Sequence, residues 1–255
     1  MIGGIEFIHD PAFYAAAVPA AALVGMSKSG FASGMGALAV PLVALSVTVP
    51  QAAAIVLPLL AVADLMGLIA LRKHADWGVL RQLLPAGLLG IVVGWLSFGL
   101  LPSHVVAGIT GVVTLLFLAF QIRKPVDANS RPPGRLATAS LALTSGYTSF
   151  VAHSGAPPIV VALLPRRMAP LVYSGTTAVF FAAINASKWL PYSLLGLFDS
   201  RNLATSVALF PVAGLGVLVG VWATQRISSR GFYLLVQAGM LVTGVKLVAD
   251  AFMAH

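Results

Sequence analysis

The sequence predicts an all-α polytopic membrane protein built as an inverted repeat, each half holding a broken or re-entrant helix pair plus three transmembrane helices. Three observations support this prediction. Of the 255 residues, 59% are hydrophobic and only 9% are charged, whereas about 25% of residues in soluble domains are charged. The apolar runs approach the roughly 20 residues that span a bilayer as a helix. The same order of runs occurs twice, once in each half of the chain. The prediction is about eight full spans plus two short-helix pairs, about ten segments in all.

The first half begins with an apolar run at about 11–48, which a polar stretch at 25–34 interrupts. Three uninterrupted runs follow, at about 50–71, 83–101 and 104–122. The second half repeats this order, with a run at about 136–165 that is interrupted at 146–155. Its uninterrupted runs lie at about 171–198, 203–224 and 232–252. The predicted division is a first repeat at 1–122, a cytoplasmic linker at 123–136 and a second repeat at 137–255.

Matching letters at matching places support a duplication. A proline followed by two glycines occurs in both halves, as Pro85, Gly90 and Gly94 and again as Pro211, Gly216 and Gly220. Both interrupted runs contain a phenylalanine followed five residues later by a glycine. These residues are Phe31 and Gly36 in the first half and Phe150 and Gly155 in the second. Asp64 falls roughly opposite Asn185, and Gly111 falls opposite Gly239.

The net charge of +8 does not indicate a nucleic-acid partner, because the basic residues form short clusters between apolar runs. Such clusters mark cytoplasmic loops. The clusters near Arg123 and Arg166 are separated by the interrupted run alone, so that run must enter the membrane and return. Each half then consists of a returning pair plus three crossings of the membrane, which is an odd number of net crossings. The second half therefore starts on the opposite side of the membrane from the first, and both termini lie outside.

The same sequence excludes several other classes of protein. The chain has no cysteine, so disulfides and thiolate metal sites are not expected. Zincin, nucleophile-elbow and P-loop motifs are missing, so we expect no enzyme, no cofactor and no metal. The first residues lack the basic start of a signal peptide, and the first apolar run is interpreted as mature protein.

The two interruptions are the candidate binding site. Non-helical backbone at membrane depth survives only where protein or a water-filled cavity satisfies it, and paired breaks indicate the midplane site of a transporter. Hydroxyls, backbone N–H groups at helix starts and one cation suit an oxyanion. The alternative is a pair of flexible small-residue loops packed against neighbouring helices. The donor residues are Ser27, Lys28, Ser29, Ser33 and Gly34 in the first break and Thr144, Ser145, Thr148, Ser149, His153, Ser154 and Gly155 in the second.

Four ionisable or amide groups stand out within the apolar runs. Lys28 is predicted to bind substrate, unless its long side chain reaches the membrane interface. Asp64 and Lys188 either bind substrate and protons or form a structural pair, and Asn185 shares a helix face with Lys188. His153 is a candidate proton-coupling group together with Asp64, since small shifts move a histidine across neutral pH; a purely hydrogen-bonding role is the alternative.

The glycine pairs Gly90/Gly94 and Gly216/Gly220 allow close helix approach. We interpret them as packing inside the chain rather than as an oligomer interface, while a homodimer stays open.

The stretch GMSKSGFASGMG at 25–36, followed by Pro41 and Leu42, resembles the N-terminal signature of the TauE/SafE family of sulfite and organosulfonate exporters. The stretch 146–158 with Thr176, Thr177, Asn185 and Lys188 resembles the second repeat of that family. The resemblance covers essentially the whole chain. It implies export of sulfite or a sulfonate such as sulfoacetate across a bacterial inner membrane by alternating access. The second break has no lysine opposite Lys28, so a symmetric pair of cations is not expected.

Two other functions stay open. One is a proton-coupled or exchange carrier for another small anion, such as a carboxylate. The other is a membrane scaffold or enzyme subunit that does not transport.

Overall fold

The computed structural model describes residues 7–28, 35–123, 131–226 and 229–253, and within these ranges all regular secondary structure is helical. The helices of the first half are α1 Pro11–Lys28, α2 Ala39–Val43, α3 Val49–Leu71, α4 Trp77–Leu100 and α5 Ser103–Arg123. Those of the second half are α6 Arg135–Ala152, α7 Ala156–Leu163, α8 Pro170–Leu194, α9 Ser200–Arg226 and α10 Ser229–Met253. The all-helical class predicted from the sequence is confirmed for the described residues.

The uninterrupted runs correspond to single long helices, with one notable difference at α4. This helix begins at Trp77, ahead of the predicted start near residue 83. Asp76 accepts a hydrogen bond from the Val79 backbone N–H at 3.0 Å, which satisfies one of the donors left free at a helix start. Arg81 and Gln82 are exposed in the first turns, so their polarity does not end the helix.

The second interruption is shorter than the sequence suggests. The predicted break covered 146–155, but α6 continues through Ala152, and the non-helical backbone covers only residues 153–155. Gly146 therefore does not break the helix. A Cβ at Gly146 would collide with the Gly87 carbonyl oxygen of α4, so this glycine permits two backbones to touch. The prediction of a break at Gly146 was wrong because a glycine used for close packing looks the same in sequence as one used for a turn.

The first interruption also starts later than predicted. Helix α1 runs past Gly25 to Lys28, and Gly25 lies against the Ala213 carbonyl oxygen of α9. Residues 29–34 of the predicted break lie outside the described residues. A 3₁₀ turn at Met35–Leu38 leads into α2, so helical backbone resumes after the interruption.

Four helix pairs dominate the packing: α1 with α9, α4 with α6, α3 with α8, and α5 with α10. Glycines allow the closest approaches. Gly90 of α4 faces the backbone of Leu143 and Tyr147 on α6, and Gly216 of α9 faces the backbone of Ala22 on α1. These glycines pack inside the chain, as interpreted from the sequence.

The outer surfaces of several helices are apolar. Three described helices are long and apolar enough to cross a membrane by length and composition, namely Val49–His74, Trp77–Leu100 and Ser200–Val219. Large exposed hydrophobic surfaces mark contact with lipid or protein. The exposed side chains are Val62, Leu65, Met66 and Ile69 on α3, Leu88, Leu89, Val92, Val93 and Leu96 on α4, Leu215, Leu218 and Val219 on α9, and Leu241, Val242 and Val245 on α10. A lipid-facing exterior accounts for this distribution.

Gly90→Ala should destabilise the protein, because the added Cβ would collide with the Leu143 carbonyl oxygen and lie 2.8 Å from the Tyr147 backbone nitrogen. Overpacking of this kind costs about 1–3 kcal/mol. The matched control is Gly99→Ala on the same helix, where a Cβ would meet nothing within 4 Å. Thermal unfolding of the purified protein in detergent should show a lower midpoint for Gly90→Ala alone. Equal midpoints for the two variants would contradict the close α4–α6 packing.

Candidate anion site at the second helix break

The side chain of Lys188, in the second half of α8, is fully buried, with 0% of its surface exposed. Its ammonium nitrogen lies 2.7 Å from the Ser149 carbonyl oxygen and 2.8 Å from the Ser149 hydroxyl. It also lies 2.7 Å from Asn185 Oδ1 and 2.9 Å from His153 Nδ1. A buried cation is tolerated when acceptors surround it in this way. Lys188 thus ties α8 to the end of α6.

Asn185 connects this lysine to a carboxylate on another helix. Its Nδ2 donates to Asp64 Oδ2 of α3 at 2.6 Å, while its Oδ1 accepts from Lys188. An ammonium only donates and a carboxylate only accepts, so the two neighbours fix which way the amide points. We call Asp64, Ser149, His153, Asn185 and Lys188 the buried polar cluster.

His153 is the first residue of the break and has a left-handed backbone, with φ of 51°. Glycine is the usual residue in this conformation, so a side chain is kept here at some cost. The Lys188 ammonium donates to Nδ1, and Nε2 lies 3.0 Å from the Ala53 carbonyl oxygen of α3. Since that carbonyl only accepts, Nε2 is the donor of this contact. His153 therefore bridges α8 and α3 at the point where α6 ends.

The sequence positions these groups through helical spacing. Asn185, Lys188 and Tyr192 lie three and four residues apart, on one face of α8. The Tyr192 hydroxyl donates to the Phe150 carbonyl oxygen at 2.7 Å. This face of α8 therefore contacts the last turn of α6 through both Lys188 and Tyr192. The sequence analysis missed Tyr192, although its spacing from Lys188 was a usable signal.

Most of the other hydroxyls predicted to line the site form hydrogen bonds with backbone carbonyl oxygens in or beside the break. Ser145 donates to the Gly155 carbonyl oxygen at 2.6 Å, and Thr148 lies 3.1 Å from the Ser154 carbonyl oxygen. Ser154 lies 3.4 Å from the Ala37 carbonyl oxygen and 3.2 Å from that of Ala152. Thr144 is exposed and donates to Ser140 of its own helix, so its placement in the lining was wrong. Ser149 is the hydroxyl that joins the cation.

The helix after the break offers fewer donors than expected. Helix α7 follows Gly155, and its second and third residues, Pro157 and Pro158, carry no backbone N–H. The first four backbone N–H groups of a helix normally have no partner within that helix. At the helix start near Gly155, where partial positive charge was expected, only Gly155 and Ala156 have N–H groups that could bind an anion.

The two interrupted segments approach each other in space. Ser154 at the second break faces Ala37, which follows the first break. Ser27 donates to the Val24 carbonyl oxygen of its own helix at 2.7 Å, and its hydroxyl oxygen would lie 3.1 Å from a Cβ at Gly36. Lys28 is the last residue of α1. The Lys28 side chain, Ser29, Ser33 and Gly34 lie outside the described residues, so their roles stay predictions.

A separate cavity of about 410 Å³ opens between the α2–α3 connection, α5 and α10. His104 of α5 and the ion pair of Lys246 and Asp250 on α10 line it. No residue of the buried polar cluster lines this cavity, so the cluster is closed off from it in this conformation.

Comparison with known proteins identifies one family. The model of the family described as Sulfite exporter TauE/SafE matches residues 17–247. No curated protein and no solved structure matches the chain. The matched range includes every member of the buried polar cluster.

Lys188→Met should destabilise the protein strongly, because it leaves buried acceptors on Ser149, Asn185 and His153 without their donor. Removing one partner from a buried charge network costs about 3–5 kcal/mol. The control is Lys246→Met, since Lys246 pairs with Asp250 at 2.6 Å but is 47% exposed, and exposed pairs contribute about 0–1 kcal/mol. Unfolding in detergent measures both variants. Equal losses of stability would show that the cluster contributes no more than a surface pair.

Proposed function

The chain belongs to the TauE/SafE family of sulfite exporters, and from this premise we propose that it exports a small sulfur-containing anion by alternating access. The substrate is sulfite or a sulfonate such as sulfoacetate, and the membrane is the bacterial inner membrane. The family consists of transporters rather than enzymes. The two halves rock about a site that lies between the two helix breaks.

The observation that carries this proposal is the fully buried Lys188, whose ammonium contacts Ser149 and His153 at the second helix break. An ionisable side chain inside a membrane protein is costly and is a functional-site hypothesis by default. Broken backbone at the same depth adds a second cost. A membrane scaffold would gain nothing from either feature. A transporter needs polar groups that can give up a protein hydrogen-bond partner and bind an anion in its place.

The proposed architecture is the inverted repeat, with repeats at 1–122 and 137–255 and a cytoplasmic linker at 123–136. The packing supports it, because α1 packs on α9 as α6 packs on α4. Each broken helix thus lies against the fourth helix of the opposite half. Asp64 and Asn185, opposite each other in the sequence match, are directly hydrogen-bonded. In an inverted repeat, a contact between equivalent residues lies on the axis that relates the halves, and transporters of this design bind substrate near that axis.

In the proposed cycle, the anion enters between the breaks and is neutralised by lysine. Lys28, Ser27, Ser29, Ser33 and Gly34 serve it from the first half. Thr148, Ser149, His153, Ser154, Asn185 and Lys188 serve it from the second half. In the structure, the donors of Lys188 are directed at protein acceptors, so the anion replaces one of these acceptors on binding. Moving one negative charge outward along an inside-negative potential gains about 2.3 kcal/mol per 100 mV, which is enough for uniport against a concentration gradient of about fifty-fold.

Lys28→Ala should abolish export while leaving the protein folded, because it removes a site cation at a helix end. Proteoliposome efflux of sulfite and sulfoacetate measures transport, and ligand-dependent thermal stabilisation measures binding. A ligand at a hundred times its dissociation constant stabilises the native state by about 2.7 kcal/mol. Wild type should gain this stability with sulfur oxyanions, and Lys28→Ala should not.

The control for this test is Lys73→Ala, a lysine exposed in the turn after α3, which should transport like the wild type. Stabilisation by carboxylates without any response to sulfur oxyanions would leave the membrane fold intact and overturn the substrate assignment.

A proton-coupled or exchange carrier for another anion is the second candidate, and His153 is the observation that favours it. Its Nδ1 lies 2.9 Å from the Lys188 ammonium, so a proton on Nδ1 would set two donors against each other and break that contact. Asp64 is the other proton-coupling candidate, since it accepts from Asn185 within the same cluster.

Proton coupling predicts that a pH gradient drives transport in the wild type and no longer does so in His153→Asn. Asparagine tolerates the left-handed backbone and does not titrate, so the fold is retained. Asp64→Asn tests the second group in the same assay. Transport that ignores the pH gradient in the wild type would leave uniport as the mechanism. A scaffold without transport activity would show no flux in any variant.

A further inference from the structure

The cavity of about 410 Å³ between the α2–α3 connection, α5 and α10 has no role in the proposed transport cycle. Ligand pockets usually measure about 300–1,000 Å³, so this one has room for a small molecule or for the headgroup of a lipid. Its polar side chains are those of Ser46, Thr48, His104, Lys246 and Asp250, and the rest of its lining is apolar. A ligand that fits it therefore combines charged and apolar parts.

The cavity lies at one surface of the membrane. Val49 lines it, and Val49 is the first residue of the segment Val49–His74, which is long and apolar enough to cross the bilayer. The other end of this segment carries Arg72 and Lys73, and basic residues mark the cytoplasmic side of a membrane protein. In the proposed orientation, the cavity therefore opens at the outer surface.

The ion pair in this cavity runs against the rules that stabilise a helix. Lys246 Nζ lies 2.6 Å from Asp250 Oδ2, but a lysine four residues before an acid is the weaker order for such a pair. Asp250 also lies in the last turn of α10, which ends at Met253, and the helix dipole disfavours a negative charge there. Helix stability thus gives no reason for an acid at this position, whereas a positively charged group bound in the cavity does.

Two opposite charges side by side select a ligand that carries both charges. An ammonium has three donors and a carboxylate has two oxygens, so Lys246 and Asp250 can each bind a further group while they contact each other. A simple anion would be repelled by Asp250, and a simple cation would be repelled by Lys246. The helix ends at the cavity act in the same way, because the start of α5 carries partial positive charge and the end of α10 carries partial negative charge. The cavity is therefore complementary to a zwitterion.

The surface next to the ion pair indicates that this zwitterion is a lipid. Val242 lies one turn before Lys246 on the same face of α10, and 65% of its surface is exposed. Leu241 and Val245 beside it are exposed as well. An apolar path thus leads from the ion pair along α10 toward the middle of the membrane. The acyl chain of a lipid would cover this path, whereas a soluble zwitterion would leave it uncovered.

We propose that the cavity binds the headgroup of phosphatidylethanolamine, a zwitterionic phospholipid with a primary ammonium group, from the outer leaflet. The phosphate binds Lys246 and the start of α5 at His104, the ammonium donates to Asp250, and an acyl chain follows Val242. A primary ammonium donates hydrogen bonds to a carboxylate, which the quaternary ammonium of phosphatidylcholine cannot do. The bound lipid joins α10 to α5 and to the α2–α3 connection.

The test measures thermal unfolding of the purified full chain in detergent while one phospholipid at a time is titrated in. A lipid that binds the native protein raises the unfolding midpoint. Wild type should bind phosphatidylethanolamine about tenfold more tightly than phosphatidylcholine, as expected for one charge-assisted hydrogen bond. Phosphatidylglycerol should also bind more weakly, because it has no ammonium group and Asp250 repels its negative charge.

Asp250→Asn removes the acceptor charge and should abolish the preference for phosphatidylethanolamine over phosphatidylcholine. The same variant should bind phosphatidylglycerol more tightly than wild type does, since the charge of Lys246 is then unbalanced. Without lipid it should unfold at nearly the wild-type midpoint, because an exposed ion pair contributes little stability.

The matched control is Asp199→Asn, which makes the same change of charge outside the cavity lining. Asp199 is exposed and accepts from the Asn202 backbone N–H at the start of α9, and asparagine caps a helix as well as aspartate does. The hydrogen bond between Gln51 and Asn202 places this helix start beside that of α3, at the same surface as the cavity. The control should keep the wild-type preference among the three lipids.

Three results would overturn the proposal. Wild type could bind phosphatidylethanolamine and phosphatidylcholine equally, or Asp250→Asn and Asp199→Asn could have the same lipid preference. Stabilisation by free phosphoethanolamine equal to that by the lipid at the same concentration would instead assign the cavity to a soluble zwitterion. Because the readout is unfolding, each result stands whether or not the protein exports a sulfur anion.

Discussion

The arrangement of the second half depends on the buried ammonium of Lys188. A charge at this depth must be surrounded by acceptors, and the acceptors come from the end of α6, from His153 in the break and from Asn185 on its own helix. Because these acceptors must surround the ammonium, the end of α6 has to lie beside Lys188 of α8. It also explains a histidine in a left-handed conformation, because glycine would remove a ring that contacts both Lys188 and Ala53.

Close glycine packing supplies the complementary constraint. The backbone of α6 touches that of α4 at Gly87, Gly90 and Gly146, so the broken helix of one half is held by the opposite half. Lipid provides little hydrophobic drive for helix association, and backbone proximity takes its place. The close α4–α6 contact is made between backbones, whereas the α6–α8 contact is made by polar side chains that can exchange hydrogen bonds. Alternating access needs both kinds of interface.

Composition and the spacing of basic clusters were sufficient to predict the helical membrane class, and the cluster residues Asp64, Asn185, Lys188, Ser149 and His153 were all identified. The break boundaries were not. Thr144 and Thr148 donate to carbonyls four residues earlier, and this bonding lets polar residues stay helical. Sequence alone therefore cannot separate a hydroxyl inside a helix from one in a loop. The link from Lys188 to Ser149 joins two helices, and no local pattern encodes such a contact.

In the proposed inverted repeat, Asp64 and Asn185 occupy equivalent positions, and their contact gives a physical reason for the two halves to differ there. Two aspartates at these positions would place like charges in contact, which is strongly unfavourable at low dielectric. An aspartate facing an asparagine keeps the hydrogen bond, since the amide donates to the carboxylate and still accepts from Lys188. With asparagine at one of the two positions, the hydrogen bonds run in one direction. The ammonium donates to the amide, and the amide donates to the carboxylate. That direction distinguishes the two halves, and a carrier whose halves differ can favour one orientation over the other.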